Sequence, residues 1–516
     1  MVFAASEVIR HPLMSKEAYG RRVIQSRGLA ALDLTPGVKE AVAKAAWNHD
    51  LALLERACAG QMFENVSPLK YEGPDSKNPV AFKAYDPKMK IDGETTLEDY
   101  LRISVAFWHA FRGTGADPFG GGTIGREWDG MFDPLAQGTV RVLGAFELMQ
   151  KIGFPMWAFH DYDLIDGTNG DLKELGAQLD LLTDIAKDRQ DATGIKLAWN
   201  TNQFFALPIY MEGAGTSPYT APFLRAVAQG KKSFEIANKL GAQNFVFWGG
   251  REGYIDLINT DHELEKANLA LFLREMIGMS RRMGFKGQML IEPKGKEPTE
   301  HQYDHDVTSV LGFLQKYGLL DEIGINFEPN HALLAGLSVA HELSFAGKWL
   351  KSIDINAGDP LTGWDIDLYT DPKTAFEVMR TVRALRLQGD FQTGVMNIDA
   401  KLRRTSTDYA GDLCRGMVKT ADLLTVGLMQ SIMETGDGRV AAMKAGRYAQ
   451  WSSGIGLDLR SGNWNGQFEA LADHVVANEA ELVTPIPSGR VEEAHNAQDQ
   501  ATIVAPVVRA FRGVQG

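Results

Sequence analysis

From Arg102 onward the chain repeats one rhythm: a short apolar run, a polar or charged exit, then a stretch with helical spacing. The apolar runs are ISVAFW (103–108), FPMWAFHD (154–161), IKLAWNT (195–201), NFVFWGG (244–250), QMLIEPK (288–294), IGINFEP (323–329), KSIDIN (351–356) and GVMNIDA (394–400). Between them lie VRVLGAFELMQKIG (140–153), LKELGAQLDLLTDIAKD (172–188), FLRAVAQGKKSFEIANKLG (223–241) and ANLALFLREMIGMSRRMG (267–284), with apolar residues at helical intervals. Continuous apolar strands alternating with helices predict an α/β fold, a parallel sheet covered on its outside by helices. Eight such units predict closure into a (β/α)8 TIM barrel over residues 102–402, with an open doubly wound sheet as the alternative. No strand is followed by a G-x-G-x-x-G turn, so dinucleotide binding is not expected.

Outside the barrel the pattern changes. Residues 1–62 read as an N-terminal helical extension, with a proline near the start of PGVKEAVAKAAWNHDLALLERACAG (36–60). Residues 63–101, rich in Pro, Gly, Lys and Asp, read as an irregular lead-in. After residue 402 the strand rhythm stops. Helical patterning dominates 417–454, and helix and loop, including PIPSGR (485–490), continue to the end. So long a stretch without strands needs a surface to cover, and residues 403–516 are expected to form a C-terminal helical arm for oligomerisation.

Composition narrows the function classes. The 516 residues are 44% apolar and 23% charged, as in a soluble globular protein. No apolar run approaches the ~20 residues that span a bilayer. The first thirty residues carry Glu7 and Glu17 and lack a continuous apolar core, which argues against a secretory signal. Two cysteines far apart, Cys58 and Cys414, offer neither a disulfide framework nor zinc spacing, so a cytoplasmic location is expected. A net charge of −13 disfavours nucleic acid as a partner.

The strand ends carry the chemistry. In such a barrel the C-terminal strand ends converge on one face. That brings Glu292, Glu328, Asp354 and Asp399 together, with Asp365 and Asp367 from the GWDID loop. These six carboxylates cannot all stay ionised in a partly desolvated cup without cations. Lys294 offsets one charge and two divalent cations would offset four more. Oxygen ligands with one imidazole, His331, favour Mg2+, Mn2+ or Co2+ over structural zinc. His160 with Asp163 has the makings of an oriented base. Trp108, Trp199 and Trp248 fit either a core role or a dry wall on which a sugar stacks. His301 and His305 read as solvated loop residues.

With those motifs in hand, residues from about 63 to 490 resemble xylose isomerase of the longer class, which has an N-terminal segment ahead of its barrel. The resemblance rests on KYEG (70–73), DPFGG (117–121), FHDYD (159–163), FWGGREGY (247–254), IEPKGKEPTEHQYD (291–304), FEPNHA (327–332), SIDIN (352–356), GWDID (363–367) and NIDAKLRR (397–404). It implies a homotetramer interconverting an aldose and its ketose with two divalent metals per subunit. Glu292, Glu328, Asp354 and Asp399 would hold the first metal; Glu328 would bridge to the second, completed by His331, Asp365 and Asp367. His160, oriented by Asp163, would act in sugar binding and ring opening, and Lys294 would meet the O1 end of the open sugar. Trp108 and Trp248 would wall the pocket, Thr201 and Glu297 would contribute to substrate binding, and Phe119 would be lent by a neighbouring subunit.

Where the family reads close to WGTANLFSHPRF, this chain has WNTNQFFALPIY (199–210), placing Gln203 for Asn and Leu207 for His. Gly295 replaces a proline and Ala357 a glutamine. The expected activity is conversion of D-xylose to D-xylulose, with D-glucose a poorer substrate. The alternatives are the same chemistry on another aldose, a divalent-metal phosphoesterase on the same barrel, and a catalytically silent sugar binder. The phosphoesterase would want more histidine ligands and a basic groove.

Overall fold

The computed structural model describes residues 15–26, 35–165, 171–436, 438–462 and 466–478. PIPSGR (485–490) and the rest of 479–516 lie outside the described residues. By its contacts the chain divides into two compact units, residues 1–427 and 428–516.

Each predicted apolar run supplies one strand of the first unit. These are β1 (Ile103–Ala106), β2 (Met156–His160), β3 (Lys196–Thr201), β4 (Asn244–Phe247), β5 (Gln288–Ile291), β6 (Ile323–Phe327), β7 (Leu350–Ile355) and β8 (Met396–Ile398). They pair in sequence order, all parallel, and β8 closes on β1 with Ile398 beside Val105. The fold is therefore the (β/α)8 barrel; the open sheet is excluded. Nearly every strand residue is buried, as a sheet enclosed by helices requires. Met156, Ala158, Ala198, Trp199, Val246, Leu290 and Val395 fill the barrel interior. This plug gives the strand ends a rigid floor.

Ahead of the barrel stand α1 (Lys16–Ser26) and α2 (Pro36–Cys58). Helices α3 (Pro134–Ile152), α4 (Leu172–Thr193), α5 (Thr220–Leu240), α6 (His262–Arg282), α7 (Val307–Lys316), α8 (Pro329–Leu334), α9 (Val339–Ala346), α10 (Pro372–Leu387) and α11 (Tyr409–Gly436) follow the strands. Asp133, Asp171, Asp261, Asp306 and Asp371 cap α3, α4, α6, α7 and α10, each accepting from a backbone N–H of the first turn. The lead-in is held to α11 by Asp422, which accepts from the backbone N–H groups of Lys83, Ala84 and Tyr85 at 2.8–3.1 Å. Among the described residues of the second unit are short helices Arg439–Arg447, Gly454–Ser461 and Phe468–Ala477. Tyr448, Trp451, Phe468 and Val476 lie exposed there.

The N-terminal helices dock through one buried carboxylate. Asp50 accepts from the Tyr19 hydroxyl and from the backbone N–H groups of Phe132 and Asp133, both at 3.2 Å. Trp47 packs edge-on against Tyr19 beside it. Asp50→Ala removes the one carboxylate that accepts from all three donors, at a cost of about 1–3 kcal/mol. The expected outcome is faster proteolytic cleavage within residues 15–60, with the barrel's far-ultraviolet dichroism unchanged.

Candidate active site

The strand ends open into a cavity of about 410 Å³. All seven residues expected to hold metals border it: Glu292, Glu328, His331, Asp354, Asp365, Asp367 and Asp399. His160, Asp163, Lys294, Trp108, Thr201 and Trp248 border it as well. Two predicted contacts do not. Glu297 accepts from the Asp365 N–H at 3.3 Å and lies 3.9 Å from the Lys294 ammonium, outside the cavity lining. Phe119 is 88% exposed and reaches no part of its own chain's cavity. Leu207 is also absent from the lining, whereas Gln203 is part of it.

The backbone aims each candidate ligand. Pro293 follows β5, so Glu292 and Lys294 leave the sheet with their backbone N–H groups still bonded, to Phe247 O at 3.1 Å and Asp304 O at 2.9 Å. Glu328 is the last residue before α8, and Pro329 at its first position starts the turn that carries His331 back over the strand end. Asp367 adopts a left-handed backbone, φ 44°, which Asp tolerates better than most residues. Its carbonyl accepts from Lys401 N at 3.0 Å and Arg403 at 2.9 Å, and Leu368 pairs with Ala357 to tie the loop to β7.

Three ligand groups converge within the cup: Glu292, Glu328 and His331; Glu328, Asp365 and Asp367; and Glu328, Asp354 and Asp399. Within each, the donor atoms lie no more than 4.8 Å apart. Glu328 belongs to all three. Burial, with the nearby charges of Asp354 and Asp399, holds the Glu292 carboxyl well above the usual range. Burial and the charges of Asp399, Asp365 and Asp367 do the same to Glu328. Burial and Asp399 push Asp354 up to about 8. Asp365 and Asp367 resist the same burial because cations face them: Lys294 at Asp365, His109 and Lys401 at Asp367. Both are held below the usual range.

The donor set fits divalent cations on an observation of its own. Among the described residues His331 Nδ1 faces two acceptors, Pro293 O at 3.1 Å and a Glu292 carboxylate oxygen at 3.5 Å, an arrangement that calls for a proton on that nitrogen. Nε2 is then a lone pair, 3.0 Å from a Glu328 carboxylate oxygen. Two acceptors at that separation need a cation or a proton between them. A ring fixed by its other nitrogen is how metal-ligating histidines are held.

Several residues that shape the cup were not singled out from the sequence. Asn326 donates to Glu292 at 2.7 Å and Asp354 at 3.0 Å; Asn397 donates to Asp354 at 2.9 Å; Asn330 donates to Asp365 and Asp367. Asn356 donates to Glu328 at 2.7 Å. His109 Nε2 lies 3.1 Å from both Asp367 and Asp399. Burial would lower its pKa, but those two carboxylates raise it to about 9.

On the other side of the cavity His160 Nδ1 lies 3.1 Å from Asp163, which also accepts the His160 backbone N–H at 2.6 Å. The ring is thus oriented through Nδ1. Trp108, Trp199 and Trp248 surround it, with Trp108 4.6 Å from the His160 ring centre. Lys294 donates to Asp365 and stands 5.4 Å over the Trp248 ring. Burial alone would lower its pKa; Asp365, Asp367 and Glu328 outweigh that and raise it. Gly295 has a local reason to lack a side chain, since a Cβ there would come within 2.7 Å of the His305 ring.

A closed parallel barrel with catalytic-type side chains at its strand ends, and a donor set suited to divalent cations, defines a (β/α)8-barrel enzyme. No family model matches the chain. Curated relatives do. A xylose isomerase of Rhodopirellula baltica is 42% identical over 403 residues, covering 78% of this chain and 90% of that protein. One from Thermoanaerobacter pseudethanolicus is 43% identical over 81% of this chain and 94% of its own length. One from Arabidopsis thaliana is 42% identical over 78% and 84%. The chain belongs to the xylose isomerase family and is an isomerase.

Proposed function

We propose that this protein converts D-xylose to D-xylulose, with D-glucose to D-fructose as the poorer reaction, using two divalent cations (Mg2+, Mn2+ or Co2+) per subunit. The observation that carries the reading is the shared position of Glu328 in three overlapping ligand groups, facing an oriented His160 across one cavity. Glu292, Glu328, Asp354 and Asp399 would hold one cation, and Glu328, His331, Asp365 and Asp367 the other.

The reaction moves the hydrogen on C2, with its electron pair, to C1, and passes the O2 proton to O1. No nicotinamide is consumed. When bound, the cations supply Lewis-acid polarisation of the oxygens on these adjacent carbons. The chain's own residues do the rest. His160, held by Asp163, exchanges the proton that opens the sugar ring. Lys294, fixed by Asp365 and kept protonated, donates to O1. Trp108, Trp199 and Trp248 exclude water from the reacting carbons.

The assembly is proposed to be a cytoplasmic homotetramer. Exposed aromatic and aliphatic side chains on residues 428–478 support an oligomerisation role, and the bare Phe119 suits a residue offered to a neighbouring subunit's pocket. The decisive test is ketose formation from D-xylose by metal-stripped protein, before and after adding Mg2+, Mn2+ or Co2+. Turnover should appear only with cation and be fastest on xylose among the aldoses tried. Failure of all three cations to restore turnover on any aldose would overturn the reading.

A further inference from the structure

The chain leaving β3 alternates. Thr201, Gln203 and Phe205 line the large cavity, while Asn202 and Phe204 turn to the buried space behind it. The backbone at Gln203 is pinned on both sides. Its N–H donates to Asp161 at 2.9 Å, and its carbonyl accepts from Gln229 at 3.3 Å. Asp161 is itself gripped by Asn202 at 2.7 Å and Gln229 at 2.6 Å. Arg251 holds the next carbonyl but one, Phe205 O, at 2.8 Å.

Against this fixed main chain the Gln203 carboxamide stands out. Among the described residues it has no hydrogen-bond partner, although it borders the cavity. Thr201 donates to Val246 O, and His160 Nδ1 faces Asp163. In a barrel of eight strands in sequence order, β3 stands opposite β7, which carries Asp354, and β6 and β8 beside β7 lead to Glu328 and Asp399. Gln203 therefore looks across the cavity at the carboxylate cup. A sugar whose reacting carbons lie at the cup extends its far end toward that amide.

We infer that the Gln203 carboxamide is a specificity-determining group, recognising the sugar hydroxyl farthest from the reacting carbons. The inference rests on the aldose isomerase reading above and adds to it the group that reads the substrate's other end. A carboxamide both donates and accepts, so it can satisfy a hydroxyl completely. A substrate lacking that hydroxyl leaves the amide unpaired, which is where discrimination comes from.

The test is a cycle between protein and substrate: wild type, Gln203→Leu and Gln203→Asn, each assayed with D-xylose and with 5-deoxy-D-xylose. Because Gln203 is positioned through its backbone, both variants should melt like wild type. For Gln203→Leu, kcat/KM on D-xylose should fall about five- to tenfold, mostly in KM, and stay within about twofold on the deoxy sugar. Gln203→Asn, which keeps the amide on a shorter stem, should lose less on D-xylose than Gln203→Leu. Equal loss on both sugars, or no loss on either, overturns the assignment of Gln203 while leaving the isomerase reading intact. A wild-type enzyme that turns over neither sugar with any of the three cations overturns both.

Discussion

Glu328→Gln is expected to cut isomerisation on the order of 10³-fold and to weaken divalent-cation binding by more than about 100-fold. The side chain is shared by all three ligand groups, so no neighbour can replace it. The amide keeps its size and its contact with Asn356, 2.7 Å away in the native protein, but removes the charge that a cation would bind. A merely structural role predicts the opposite balance. Burial and four like charges already penalise the Glu328 carboxylate, so its neutral isostere should melt no lower than wild type in the absence of metal at about pH 8. Calorimetric titration with Mn2+ and thermal melting of the same preparations separate the two roles. Near-normal turnover in this variant would remove Glu328 from the centre of the site.

Most of this arrangement was legible because its signals are local. Eight apolar runs became eight strands, since a strand buried on both faces must be apolar throughout. The polar residue at each run's end then had one place to go. Two of the overlooked residues were readable from the pattern, and the others have a physical reason for staying hidden. Asn326 stands two residues before Glu328, and Asn397 two before Asp399. A strand's period of two puts each amide on its ligand's face, so these were readable signals. His109 was masked by its neighbour Trp108, because the strand does not continue there: residues 108–112 coil into a wide helical turn that brings both rings to the cavity. Lys401, 2.8 Å from Asp367, crosses 34 positions to reach it, and sequence spacing says nothing about that approach. Asp50 likewise meets the backbone at 132 and 133, and nothing near it announces the partner. The departures at 203 and 207 looked equivalent in the sequence. Only the cavity wall separates them, bringing in Gln203 and leaving Leu207 out.

The electrostatics of the cup lead to a second large effect: metal-stripped protein should become less stable as pH rises, and divalent cations should reverse the trend. Glu292, Glu328 and Asp354 all have folded pKa values raised above an unfolded carboxylate's ~4, with Asp354 at about 8. Below about pH 4 both states carry these protons and nothing is lost. Between there and pH 8 the unfolded chain releases them while the folded cup retains them, so stability falls as pH climbs. His109, raised to about 9, acts in the same direction from about pH 6.5 upward, because its bonds to Asp367 and Asp399 weaken as the ring loses its proton. Asp365 and Asp367, held low, lose their contribution only in more acidic solution, below their unfolded pKa, and do not oppose the trend in this window. The stripped protein should therefore melt at least about 5 °C higher at pH 5.5 than at pH 8.5. Cations would bind the ionised set, so adding Mg2+ or Mn2+ at neutral pH should expel protons, measurable in a weakly buffered titration, and should raise the melting temperature most at high pH. A stripped protein whose stability is flat with pH, or cation binding without proton release, would mean that the cup is ionised before any cation arrives. The charges would then have to be balanced from within, by cations such as Lys294, Lys401 and His109, which face six carboxylates.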